Sequence, residues 1–160
     1  MENLHIQIII RCCSYDELSP ADRALANAAR EATNNSYAPY SHFSVGAAAL
    51  LENGITVSGS NQENAAYPSG LCAERTTLFY ANSRYPHLAV EALAVAARNE
   101  RGEFVARPIE PCGACRQVML EVESRQGRPM RLLLCGADTV YEIGDAAQLL
   151  PLSFRADSMR

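Results

Sequence analysis

Three cysteines in two short segments constrain the fold of this chain most. Cys72 begins the run Cys-Ala-Glu, whereas Cys112 and Cys115 form a Cys-x-x-Cys pair that follows Pro111. Thiolates bind Zn²⁺ well, and two intervening residues let both sulfurs of such a pair reach one ion. The fold is therefore expected to bring two segments that are distant in the sequence to one point.

Both segments are predicted to begin helices. A helix N-terminus favours negative charge, so it lowers the pKa of a thiol and holds thiolates ready for a metal. Three protein ligands leave the fourth tetrahedral position open, as in catalytic zinc sites, where bound water ionises near neutral pH. Glu74 follows Cys72 closely and is predicted to point toward that water as a proton shuttle. Zinc deaminases show this pattern: a Cys or His, one residue, a non-ligating Glu, then Pro-Cys-x-x-Cys.

Periodic apolar patterns predict an α/β fold in a single domain over residues 1–160. Ser19 is the expected N-cap of the first helix, with Pro20 at its first position. Asn53-Gly54 predicts a hairpin, and a later strand–helix–strand unit predicts a parallel pair, so we expect a mixed sheet with helices on its faces. The predicted strands are 4–12, 43–51, 55–60, 90–97, 132–135 and 140–143, and the predicted helices begin at Pro20 and span 72–83, 112–124 and 145–150.

Composition and charge exclude several classes of function. The formal net charge of −4 and the scattered Lys and Arg residues argue against a nucleic-acid partner, which would meet a basic patch. No apolar stretch approaches the roughly 18 residues of a membrane span. The N-terminus lacks the basic start of a secretory signal, so a cytoplasmic location with reduced thiols is expected.

Four motifs resemble the short, zinc-containing cytidine deaminases and follow one another in that family's order. The resemblance covers about residues 20–156. It implies a three-layer α/β/α cytidine-deaminase-like fold and one Zn²⁺ per subunit. It also implies hydrolytic deamination of cytidine and deoxycytidine to uridine and deoxyuridine, with release of ammonia, in pyrimidine salvage. The motifs are Tyr40-Ser-His-Phe-Ser-Val-Gly-Ala-Ala48, Asn61-Gln-Glu-Asn-Ala-Ala-Tyr-Pro68, Cys72-Ala-Glu-Arg-Thr76 with Pro111-Cys-Gly-Ala-Cys-Arg-Gln117, and Leu149-Leu-Pro151 followed by Phe154.

The resemblance also implies the catalytic roles. Cys72, Cys112 and Cys115 would hold the zinc ion. Glu74 would take a proton from the zinc-bound water, deliver it to N3 of the base and then help ammonia leave.

The remaining implied roles concern a free pyrimidine nucleoside as the substrate. Asn61 and Glu63 would hydrogen-bond the sugar hydroxyls, and Phe43 would line the pocket. Ala65 would contact the base through its backbone, and Phe154 would pack on the base from a neighbouring subunit. Family members of this length are usually homotetramers, so a homotetramer is expected.

Electrostatics gives a separate reason to single out two arginines. Three thiolates on Zn²⁺ sum to a net charge of −1, which weakens the metal as a Lewis acid, and a cation hydrogen-bonded to the sulfurs would restore some acidity. Arg75 is the best candidate and Arg116 the next.

Two features depart from the family pattern. They are an extended N-terminal segment, 1–13, and Glu110, which stands where a small hydroxyl residue is frequent.

Alternative interpretations remain open at this point. The cysteines could form a structural zinc site in a binding module, with a fourth ligand from Cys12, Cys13, Cys135 or a histidine. Otherwise those three cysteines would be small buried hydrophobic residues. As an enzyme of the same chemistry, the chain could instead deaminate a blasticidin-type antibiotic, or cytosine within RNA or DNA. An enzyme that acts on RNA or DNA would be expected to have a basic groove with aromatic residues.

Overall fold

The computed structural model describes residues 1–159 as an α/β fold with one mixed sheet and three α-helices. The spatial order of the strands is β1-β6-β5-β4-β2-β3. The strands are β1 Arg11–Ser14, β2 Ser44–Leu51, β3 Thr56–Ser60, β4 Val90–Arg98, β5 Arg131–Cys135 and β6 Thr139–Ile143, and the helices are α1 Pro20–Ala32, α2 Ala73–Arg84 and α3 Gly113–Gln126.

The sheet contains both predicted kinds of strand pairing. β2 and β3 form the antiparallel hairpin, and β4 pairs in parallel with β5 across the α3 crossover. All other neighbouring strands are antiparallel. The almost wholly apolar sequence of β4 is explained by its place between β2 and β5, because a central strand is covered on both faces.

The helices pack on both faces of the sheet, as the predicted three-layer architecture requires. One core cluster contains residues of α2 and α3, and a second contains residues of α1. A Cβ at Gly46 of β2 would collide with the carbonyl oxygen of Ala29 and the backbone nitrogen of Thr33. Glycine at this position therefore lets α1 and the turn after it lie directly on the sheet.

Helix α1 begins as predicted. The Ser19 side chain accepts a hydrogen bond from the backbone N–H of Asp22 at 3.1 Å, and Pro20 occupies the first helical position. The Ser19 hydrogen bond satisfies one donor that the first turn leaves without an intrahelical partner, and Pro20 has no N–H to satisfy. No helix within residues 1–159 combines the length and the apolar character that a membrane crossing demands.

The two ends of the chain differ from the prediction. Instead of a strand over 4–12, only Arg11–Ser14 pairs with β6, because the β1–β6 register places Arg11 opposite Glu142 and β6 ends at Ile143. Cys12 is exposed on this edge strand, and so it is not the buried hydrophobic residue that was expected. The predicted last helix is a short 3₁₀ helix, Ala146–Leu149, which Asp145 caps before the helix-breaking Pro151.

Candidate active site

The N-termini of α2 and α3 meet at the three cysteines. Cys72 is the N-cap of α2, Cys112 is the N-cap of α3, and Cys115 lies in the first turn of α3. The Cys112 sulfur lies 3.7 Å from that of Cys72 and 3.5 Å from that of Cys115. All three sulfurs lie within 4.8 Å of one another, so the fold brings the predicted ligands together.

The spacing of the sulfurs fits a zinc ion. Sulfurs bound at about 2.3 Å in a tetrahedron lie about 3.8 Å apart, close to the separations of the Cys112 sulfur from those of Cys72 and Cys115. Among the described residues, no further His, Cys, Asp or Glu joins this group. Three thiolates without a fourth protein ligand are the donor set of a catalytic zinc site, which disfavours the structural-site interpretation.

Arg75 contacts the thiol cluster as its position in the sequence suggested. Its Nη2 donates to the Cys72 sulfur at 3.6 Å. Hydrogen bonds from Cys115, and then from Arg75 and Cys112, lower the pKa of Cys72 to about 5. The hydrogen bond to Cys72, and then that to Cys115, raise the pKa of the Arg75 guanidinium. Arg75 therefore stabilises negative charge on a sulfur that the metal would share.

Arg116 lies elsewhere than the sequence prediction placed it. Its Nε donates to the Pro111 carbonyl and its Nη1 to the Leu149 carbonyl, both at 2.8 Å. Both carbonyls belong to residues outside α3, and no hydrogen bond within the helix reaches them. Arg116 thus fastens the backbone before Cys112 to the C-terminal region instead of donating to a sulfur.

Glu74 lies in the first turn of α2 and is only 4% exposed. Burial raises the pKa of its carboxyl, and the nearby Cys72 raises the pKa further. A carboxyl in such surroundings carries a proton more readily than a surface glutamate does. Its side chain also lines the cavity described next, so the carboxyl is accessible to a ligand.

A cavity of about 660 Å³ opens above the cysteines. Such a volume falls in the range of small-molecule sites. Three predicted substrate contacts line the cavity together with Cys72, Cys112, Glu74 and Arg75, namely Phe43, Asn61 and Glu63.

Asn61 and Glu63 are both held in fixed orientations. Asn61 Oδ1 accepts from Ser36 Oγ and from the Val45 N–H, and its Nδ2 donates to the Phe43 carbonyl. The Oε2 of Glu63 accepts from the backbone N–H groups of Tyr40 and Ser41.

The electrostatics of Glu63 differ from those of Glu74. Hydrogen bonds from the Ser41 side chain and from the Tyr40 backbone lower the pKa of the Glu63 carboxyl. Glu63 is therefore a permanent anion at neutral pH, which suits an acceptor for hydroxyl groups, whereas Glu74 is suited to carry a proton.

Two other predicted contacts lie outside the lining of this cavity. Ala65 is exposed beside Asn64, which does line it. Phe154 is 61% exposed, and its carbonyl accepts from the Gln117 side chain at 3.0 Å. Within one chain, therefore, neither residue reaches the space above the cysteines.

Several cavity residues were not identified from the sequence. Leu71 and Ile109 form apolar walls, and Ser36 supports Asn61 from outside. The apolar character of the two wall residues gave no signal, because they lie in irregular segments without periodicity. Glu110, which the sequence analysis singled out as a departure from the family pattern, also lines the cavity, and Arg107 Nη2 donates to its Oε1 at 2.8 Å.

Comparison with known proteins gives concordant results. The family described as "Cytidine and deoxycytidylate deaminase zinc-binding region" matches residues 19–127. The cytidine deaminase of Halalkalibacterium halodurans is 40% identical over 144 residues, which cover 84% of this chain and 95% of that protein. The crystal structure of cytidine deaminase from Burkholderia pseudomallei superposes with a TM-score of 0.68 at 38% identity, over 82% of this chain and 97% of that one. A cytidine deaminase structure from Mycobacterium tuberculosis gives a TM-score of 0.64 at 32% identity, over 82% and 95% respectively.

Proposed function

Because the chain belongs to the cytidine and deoxycytidylate deaminase zinc-binding family, we propose that it hydrolyses cytidine and deoxycytidine to uridine and deoxyuridine with release of ammonia. One observation carries this proposal most directly. Three cysteine sulfurs lie within 4.8 Å of one another, and two of these cysteines, Cys72 and Cys112, line a cavity of about 660 Å³ together with the buried Glu74.

The chemistry assigns distinct tasks to the residues of the site. Cys72, Cys112 and Cys115 would hold Zn²⁺, which supplies an activated water as nucleophile when bound. Glu74 takes the proton that the attacking water gives up and delivers it to N3 of the base. It then carries the proton of the newly added hydroxyl group at C4 to the amino group, which leaves as ammonia while the C4 carbonyl forms. Burial suits Glu74 to this work, because a raised carboxyl pKa lies nearer the pH at which protons are both taken and given.

Substrate recognition follows from the polarity of the cavity walls. Phe43, Leu71 and Ile109 offer apolar surface for the pyrimidine ring. Asn61 and Glu63 would bind the sugar hydroxyls with side chains that protein contacts already hold in place. Such preorganisation spares the entropy of ordering these groups when the substrate binds. A reducing compartment such as the cytoplasm would keep the six free cysteines as thiols.

The proposed reaction is tested by following the ultraviolet absorbance of cytidine and deoxycytidine with zinc-loaded protein, and by measuring ammonia release. We expect turnover of both nucleosides and far slower reaction of cytosine within a single-stranded oligonucleotide, because the chain carries a net charge of −4. A blasticidin-type antibiotic serves as the competing substrate. Absence of turnover on either nucleoside, with zinc bound, would refute the proposed activity.

We also propose that the active form is a homotetramer in which Phe154 completes a site of another subunit. Phe79 and Tyr80 of α2 and Phe154 near the C-terminus are all exposed on the single chain, and exposed aromatic residues are enriched at protein interfaces. The position of Phe154 outside its own cavity supports a role in a neighbouring one.

Mixing two inactive variants tests this arrangement. Phe154→Ala impairs a neighbour's site, whereas Glu74→Gln inactivates its own. When the two proteins are unfolded and refolded together, some sites combine an intact Glu74 with an intact Phe154 from the other chain. We expect the mixture to regain a measurable fraction of activity and to show a mass four times that of the chain by light scattering. A monomeric mass, or no recovery in a mixture proved to contain mixed oligomers, would contradict the arrangement.

A further inference from the structure

One buried carboxylate lies outside the catalytic cavity and binds three backbone amides. Glu123 of α3 accepts from the N–H of Met130 at 2.8 Å and of Ala146 at 2.9 Å through Oε1, and from the N–H of Ala147 at 3.1 Å through Oε2. The residue is buried, so these bonds are shielded from water. Glu123 thereby joins α3 to the residue before β5 and to the 3₁₀ helix Ala146–Leu149.

The same helix holds the next part of the chain at two further points. Arg116 bridges the Leu149 carbonyl to the Pro111 carbonyl, directly before Cys112. Gln117 donates to the Phe154 carbonyl. Three side chains of α3 therefore bind successive parts of residues 146–154, while the N-cap and the first turn of α3 carry the proposed zinc ligands Cys112 and Cys115. These hydrogen bonds connect the segment that carries Phe154 to the helix that bears Cys112 and Cys115.

We propose that Glu123 is a positioning residue. Its hydrogen bonds hold the 3₁₀ helix Ala146–Leu149 against α3 and so set the position of Phe154 relative to the metal-binding helix. The inference rests on the proposed function, since it uses the proposed contact of Phe154 with the substrate. Removal of the carboxylate leaves the Met130 N–H without its acceptor and leaves the N–H groups of Ala146 and Ala147 with only their second acceptors, the Met130 carbonyl and Asp145 Oδ1. The segment from 146 to 154 then loosens. Glu123 touches neither the cavity nor the sulfurs, and it acts only through this segment.

The surroundings of Glu123 make the stabilisation that it provides depend on pH. Burial, and then the Asp145 carboxylate, raise the pKa of Glu123 to about 7 from an ordinary value of 4.5. Asp145 precedes the 3₁₀ helix, and Arg155 lines the same small cavity of about 190 Å³ as Glu123. Because the folded pKa is the higher one, this group stabilises the fold most below about pH 4.5, and that stabilisation is lost as the pH rises through about 7.

Two variants test the positioning role, with Glu31→Gln, an exposed helical glutamate, as the matched control. In Glu123→Ala we expect faster amide hydrogen exchange over residues 146–155. We also expect KM for cytidine to rise roughly tenfold while kcat changes by less than about threefold, as for a loss of binding contacts. Unchanged exchange and unchanged KM would overturn the proposal. So would a fall in kcat of the same size as the rise in KM.

Glu123→Gln keeps an acceptor oxygen and resembles the protonated acid, so it covers the case in which Glu123→Ala does not fold. The unfolding midpoint of this variant should rise relative to wild type as the pH increases from about 5 to about 7. A difference that is independent of pH, as in the control, would contradict the proposal. Exchange and unfolding need no catalysis, so these results stand apart from whether the protein deaminates cytidine.

Discussion

Glu74→Gln is expected to lower kcat for cytidine by about 10³-fold, since general acid–base groups contribute 10²- to 10⁴-fold. Glutamine occupies nearly the same volume in this buried position but can neither take up a proton from the attacking water nor release one to N3. The zinc content and the unfolding midpoint should stay close to those of wild type, because the sulfurs keep their helix positions. Steady-state kinetics with metal analysis measure all three quantities.

The control for this experiment is Glu31→Gln, whose exposed side chain lies on α1. It should retain the rate of wild type. A Glu74→Gln protein that is folded, loaded with zinc and within about fivefold of the wild-type rate would show that another group moves the proton.

Cys112→Ala is expected to abolish both stoichiometric zinc binding and detectable deamination. Cys112 is the exposed member of the three ligands, so its truncation opens no core cavity, in contrast with the fully buried Cys115. A chelator should inactivate wild type in the same way, and added Zn²⁺ should restore activity to wild type but not to the variant. Metal analysis after gel filtration and the cytidine assay measure the outcome.

Arg75→Ala is expected to cause a milder defect in zinc affinity or activity than Cys112→Ala. It keeps all three ligands but removes the donor to the Cys72 sulfur, and loss of such supporting contacts costs roughly 10- to 100-fold in affinity or activity. Its defect should therefore lie between wild type and Cys112→Ala. Stoichiometric zinc in Cys112→Ala, or wild-type kinetics and zinc content in Arg75→Ala, would count against the roles assigned here.

Sequence patterns were informative wherever a local rule applied. The Ser19-Pro20 start, the Asn53-Gly54 hairpin and the apolar β4 run each depend on neighbours in the chain, and the structure confirms all three. The Cys-x-x-Cys spacing likewise located two sulfurs on one helix end.

Patterns failed where an outcome depends on partners that are distant in the sequence. Arg116 turns to the Leu149 carbonyl, which no spacing rule connects to it. Residues 4–10 have the β-forming composition of a strand, but β6 ends before it can pair with them. Ile109 became a cavity wall only because the fold turned an irregular segment toward the cysteines.

The hydrogen bonds of Asn61 and Glu63 also determine whether each side chain can still donate to a ligand or accept from it. Asn61 Oδ1 already accepts twice and its Nδ2 has one bond to Phe43, so what remains is a single donor. Glu63 binds two backbone donors through Oε2, and as a carboxylate it offers only acceptors. A hydroxyl group, which both donates and accepts, is complementary to this donor–acceptor pair in a way that an ether or a methyl group is not. We therefore expect the cavity to favour hydroxylated ligands by the hydrogen-bond donors and acceptors that they present, independently of shape.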